Sequence, residues 1–165
     1  MRGFEAGCVT IDMPPAQGKS EYGNLRAASY DWFTFGSEFL GDYIDRGEES
    51  KSVIDFIIDL KKTGFNVTAL TGNHEQMLLD AWNDPSALDQ WYMNSGSATL
   101  FSFGISDIRQ MERAYIDFFS GLQFYKETGN YIFVHAGFND YETDPFRDKL
   151  TMIWKCSTSY KNPLV

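Results

Sequence analysis

The sequence predicts an α/β domain, on three observations. A strand–turn–helix–strand order is legible across residues 31–70, two β-rich runs flank Gly129-Asn130, and the apolar content suffices for a packed core. Residues 31–40 are aromatic-rich and end in Phe39-Leu40, which predicts a strand leading into a glycine-bounded turn. Residues 50–62 read as a helix, because Val53, Ile54, Ile57, Ile58 and Lys61 recur at helical spacing. Ser52 and Asp55 have the spacing of a capping box, and Gly64 stands where the helix should stop. Residues 66–70 supply the next strand. The unit is therefore βαβ, with parallel strands whose following loops share one edge.

A second helix is expected from near Glu75 through Met77, Leu78 and Ala81, broken at Asp84-Pro85. Residues 86–104 suggest short helices about Asn94-Ser95-Gly96. Residues 106–119 predict one helix with Ile108, Met111, Tyr115 and Phe118 on a common face. Phe124-Tyr125 and Tyr131-Ile132-Phe133-Val134 read as a hairpin around Gly129-Asn130. After Phe138 only Met152-Ile153-Trp154 stands out. Near the start, Val9-Thr10-Ile11 reads as a short strand running into Asp12, before a loop marked by Pro14-Pro15, Gly18 and Gly23. Residues 1–165 are read as a single domain, without repeats or low-complexity segments.

Composition narrows the function. The chain has 165 residues, 43% hydrophobic and 16% aromatic, which argues for a folded globule over a disordered segment. A net charge of −9 disfavours a general nucleic-acid binder, which needs a basic face, and is compatible with bound cations. Cys8 and Cys156 are the only cysteines, which fits a reducing compartment better than a disulfide scaffold. With no signal-like leader and no run near the ~20 apolar residues of a membrane span, a cytoplasmic location without membrane association is expected.

The chemistry gathers at three strand ends. The first cluster is Gly41-Asp42-Tyr43-Ile44-Asp45-Arg46-Gly47, the second Gly72-Asn73-His74-Glu75 after Leu70, and the third His135-Ala136-Gly137 after Val134. Aspartate at a strand end can bind a divalent cation, and an arginine just beyond can clamp phosphate through two parallel hydrogen bonds. Carboxylate, amide oxygen and imidazole together suit Mn, Fe or Zn better than Ca. Such positions are where open α/β sheets bind ligands.

These three clusters, in this order, resemble the signatures of the calcineurin-like metallophosphoesterases, within them the bacterial and phage branch of the serine/threonine phosphoprotein phosphatases. Residues 91–104 (WYMNSGSATLFSFG) are similar to the Asn-Gly-Gly and Thr-Leu pattern of bacterial members, and the resemblance spans roughly residues 35–140. It implies a metallophosphoesterase-like β-sandwich flanked by helices. It also implies that Asp42 bridges two divalent ions, Mn foremost, about 3.5–4 Å apart, with Asn73 and His135 completing much of one shell. By the same resemblance Arg46 binds phosphate oxygens, and His74 protonates the leaving oxygen. Asp45 orients the His74 imidazole, and Glu75 supports the site.

The sequence also departs from that pattern. An earlier Gly-Asp-x-His-Gly motif and a late Gly-His are missing, and the two histidines of the chain are already assigned. One metal thus keeps a near-complete shell and the other only Asp42. Asp12 lies 30 residues before Asp42, a separation similar to that between the family's first two motifs, but Pro14 stands where the histidine should be. Thr71 occupies a position where relatives often carry arginine. The expected form is a chain truncated or degenerate at both ends. The implied activity is hydrolysis of phosphomonoesters, on a phosphoprotein or small phosphate ester, by metal-activated hydroxide. Hydrolysis of a dinucleoside polyphosphate such as diadenosine tetraphosphate, and a non-catalytic remnant binding one metal or phosphate, stand as alternatives.

Overall fold

The computed structural model describes residues 27–28, 37–128, 131–139 and 141–155. Strand β2 (Ser37–Phe39) pairs parallel with β3 (Val67–Ala69), Glu38 facing Thr68 and Phe39 facing Ala69. Helix α1 (Ser50–Lys62) connects them, so the βαβ unit forms as expected. Strand β1 (Ala27–Ala28) adds antiparallel on the other side of β2. Helix α1 buries Val53, Ile54 and Ile57 as a stripe, and Lys61 and Lys62 lie in its last turn, where the helix dipole favours cations. Gly64 and Phe65 close that end through N–H bonds to Lys61 O and Leu60 O.

The expected Ser52–Asp55 capping box does not form. Helix α1 already starts at Ser50, so Ser52 lies inside the first turn, and its hydroxyl donates back to Glu49 at 2.8 Å. Asp55 is taken instead by Lys51 Nζ at 2.6 Å and Tyr115 O–H at 2.7 Å.

Helix α2 (Asn73–Asn83) follows β3 almost at once and buries His74, Glu75, Met77, Leu78 and Ala81. Asp84 then accepts the Ser86 N–H and caps a 3-10 turn at Pro85–Ala87. Helices α3 (Leu88–Met93) and α4 (Gly96–Phe103) are the two short helices anticipated there.

The single helix expected over residues 106–119 does not form. A 3-10 turn at Ile108–Gln110 is held by Asp107, which accepts the Arg109 N–H, and by Gln110, whose side-chain oxygen accepts the Ser106 and Asp107 N–H groups. Met111 and Glu112 are then extended before α5 (Arg113–Ser120) begins. That break rephases the apolar face. Ile108, Met111, Ile116 and Phe119 are buried, while Tyr115 and Phe118 are half-buried.

Strands β4 (Tyr125–Thr128) and β5 (Tyr131–Val134) form the expected antiparallel hairpin, whose Gly129-Asn130 tip lies outside the described residues. The chain just before β4 is tied to the end of β3: Thr71 N–H donates to Gln123 O at 2.8 Å, and Gln123 N–H to Ala69 O. Helix α6 (Lys149–Trp154) buries Met152 and Ile153, and Ala136 N–H donates to Met152 O at 2.7 Å. The bond between His135 Nδ1 and Leu40 O, at 2.6 Å, brings the third cluster to the end of β2. The α/β class is as expected, with two small sheets among helices. Val9–Ile11, Asp12, Cys8 and Cys156 lie outside the described residues.

The core joins Phe39 and Ile44 to α1, α2, Trp91 and α5. Among the described residues no helix is long and apolar enough to cross a membrane.

Candidate active site

The loop after β2 has an unusual backbone. Gly41, Asp42 and Asp45 all take positive φ, at 97°, 59° and 77°. For the two aspartates that conformation is sparsely populated and must be held by its surroundings. Glu75 supplies one hold. Its fully buried carboxylate accepts the N–H groups of Asp42 at 2.9 Å, Tyr43 at 2.7 Å and Gly72 at 2.8 Å. Tyr43, also buried, accepts the Gly41 N–H at 3.0 Å and points its own O–H at the carbonyls of Leu70 and Phe39.

The glycines explain how the clusters meet. A Cβ on Gly41 would lie 2.6 Å from Gly72 N and 2.9 Å from His135 Nδ1, and one on Gly72 would lie 2.5 Å from Asp42 Oδ1. Only hydrogen fits between these chains. All three strand-end clusters therefore touch.

Asp42 and His135 face one another. Leu40 O lies 2.6 Å from His135 Nδ1, so that nitrogen carries the proton and donates it. The other ring nitrogen, Nε2, then faces Asp42 Oδ1, 3.4 Å away. Oδ1 is buried and has no hydrogen-bond partner among the described residues. Two donors each about 2.1 Å from one cation, at 90–110°, sit about 3.0–3.4 Å apart. An imidazole whose second nitrogen is tied to a backbone carbonyl is the usual arrangement of a metal-binding histidine. The pair thus fits one divalent cation. Asn73 is half-buried and opens α2 directly after Gly72. Among the described residues no three His, Cys, Asp or Glu side chains cluster for a metal.

Asp45 and His74 form the other half. His74 Nδ1 lies 2.7 Å from Asp45 Oδ2, with both side chains almost wholly buried. His74 Nε2 is buried and has no partner among the described residues. Burial alone would depress the His74 pKa, but the hydrogen bond to Asp45 and the charges of Asp42 and Asp45 outweigh it, against opposition from Arg46, and the net shift is upward. Arg46 itself is exposed on the loop and forms no ion pair with a described residue. For Glu75, burial and then the Asp42 charge raise the pKa to about 7, although three backbone N–H bonds pull the other way.

A family model for calcineurin-like phosphoesterases matches residues 28–161, most of the chain. The chain belongs to the calcineurin-like phosphoesterase family. No curated protein and no solved structure shows significant similarity to it. The match makes it a metal-dependent phosphoesterase in general, acting on phosphoesters.

Three residues of the candidate site were not singled out by the sequence. Tyr43 reads as an ordinary core aromatic inside the first cluster. Trp91 and Thr99 reach Asp45 across 46 and 54 residues, and no local pattern marks that contact. The one available signal was the stretch 91–104, in which both fall. Thr71 is buried, with its hydroxyl turned to Gly72 O at 3.3 Å.

Proposed function

We propose that this phosphoesterase hydrolyses phosphomonoesters of the phosphoserine and phosphothreonine class. The observation that carries the reading is the buried Asp45–His74 pair, whose aspartate lies in the same loop that presents Asp42 to His135. His74 would deliver a proton from Nε2 to the departing oxygen, while Asp45 holds the ring through Nδ1. Arg46, free at the surface of the loop, would grip the phosphate oxygens with its planar fork. Asp42, Asn73 and His135 would hold a divalent cation, Mn foremost. When bound, the cation polarises the phosphoryl group, offsets developing charge and lowers the pKa of water.

Hydrolysis of an aryl phosphate with added Mn, run beside analysis of bound metal, tests this. Bound metal with turnover abolished by Asp42→Asn is expected. Protein that binds no metal and turns nothing over refutes it. A phosphopeptide assayed beside a dinucleoside polyphosphate identifies the substrate class.

A second reading is favoured by the histidine count. With two histidines in all and threonine at position 71, the chain would bind one cation or a phosphate group without turnover. One bound metal with no turnover would select it.

A further inference from the structure

We infer that Trp91, seated by Gly96 and assisted by Thr99, is a positioning residue that aims the Asp45–His74 pair and biases the site towards alkyl phosphomonoesters. The inference rests on His74 as proton donor in the reading above. The indole N–H of Trp91 lies 3.1 Å from both oxygens of Asp45. Thr99 donates its hydroxyl to Asp45 Oδ1 at 2.6 Å and accepts the N–H of Asp45 itself at 2.9 Å, closing a ring around that residue. With His74 on Oδ2, both carboxylate oxygens are engaged by donors from three different elements. The carboxylate therefore has one orientation available, and the imidazole inherits it.

The Trp91 ring is itself fixed. It is fully buried, and a Cβ on Gly96 would lie 2.5 Å from it, so α4 packs its first residue flat on the indole. Nothing else among the described residues uses the indole N–H. A tryptophan wanted only for core volume would not need its polar edge turned to a buried carboxylate.

Proton delivery matters most when the leaving oxygen is basic. An aryl phosphate expels a weakly basic phenolate, whereas a serine or threonine phosphate expels an alkoxide. Loss of the indole hydrogen bond should therefore act on the two substrates unequally. A global structural defect would act on them alike.

The test replaces Trp91 with benzothienylalanine, in which sulfur takes the place of N–H at near-equal ring volume, and compares it with Trp91→Phe. Turnover on an alkyl phosphate is expected to fall about 10–100-fold, the scale of one hydrogen bond to a charged group, and turnover on an aryl phosphate by a few-fold at most. KM and bound metal should change little. Equal losses on both substrates overturn the inference. If the unmodified protein hydrolyses neither, the phosphoesterase reading fails separately, and the His74 Nδ1–H signal in the NMR spectrum then decides. A protected signal lost on sulfur substitution supports positioning by Trp91. An absent signal, or equal protection in both proteins, overturns it.

Discussion

Glu75 offers the sharpest test of the loop's construction. Its carboxylate is buried and bonded to three N–H groups, which favour the charged form. Burial and the Asp42 charge disfavour that form, and they win, raising the pKa from an ordinary 4.5 to about 7. A group whose pKa is higher folded than unfolded contributes stability fully present below the unfolded value. That stability is lost as pH rises through the folded value. At about 1.4 kcal/mol per pH unit, metal-free protein should lose about 3 kcal/mol from this group between pH 4.5 and 7.5, a fall of about 10 °C in melting temperature.

Glu75→Gln removes the titration but keeps the shape. Its amide nitrogen must face at least one backbone N–H, donor against donor, which should cost about 1–3 kcal/mol at pH 4.5. By pH 8 the gap to the original protein should have closed by about 3 kcal/mol. Urea unfolding of both proteins in chelator, at intervals across that range, measures it. Parallel stability curves would refute the reasoning. So would an original protein that gains stability relative to the variant as pH rises. Added Mn should flatten the difference, because a cation on Asp42 removes the second cause of the raised pKa.

Other outcomes follow from the same contacts. Gly72→Ala should weaken Mn binding at least tenfold by calorimetry and cost about 1–3 kcal/mol, because the added methyl meets Asp42 at 2.5 Å. His135→Ala should abolish stoichiometric metal while lowering metal-free stability by only about 1 kcal/mol, the worth of its bond to Leu40 O. Leu78→Ala, at a wholly buried position in the core, should cost about 2–5 kcal/mol in urea unfolding and leave metal stoichiometry intact in the folded fraction.

The parts of the fold that were legible are those set by local pattern. Helix α1 carries its apolar stripe at 53, 54 and 57, and the parallel pairing of β2 with β3 follows from the helix between them. The errors arose where side chains compete with the backbone. Asp107 and Gln110 terminate a turn that apolar spacing alone would have continued to residue 119, and the burial of Ile116 and Phe119 follows from that interruption. Likewise Asp55 had a suitable spacing for a cap but a better offer from Lys51 and Tyr115, which approach from α1 itself and from α5.

The candidate site divides in the same way. Glycines and charged residues at strand ends advertised its chemistry, while the residues that hold the chemistry in place look like core. Their placement splits the loop after β2 into two separately supported halves. The half bearing Asp42 is tied to α2 through Glu75 and pressed against Gly72. The half bearing Asp45 is tied to α3 and α4 through Trp91 and Thr99, and meets α2 through His74. Each half contains a residue at positive φ, so each needs its own support. Metal binding and proton delivery should therefore fail independently. Gly72→Ala should lose metal while the Asp45–His74 contact persists, and loss of the Trp91 N–H should disturb that contact with metal affinity retained. A loop acting as one rigid unit would instead lose both functions to either change, and that pattern would refute the two-support account.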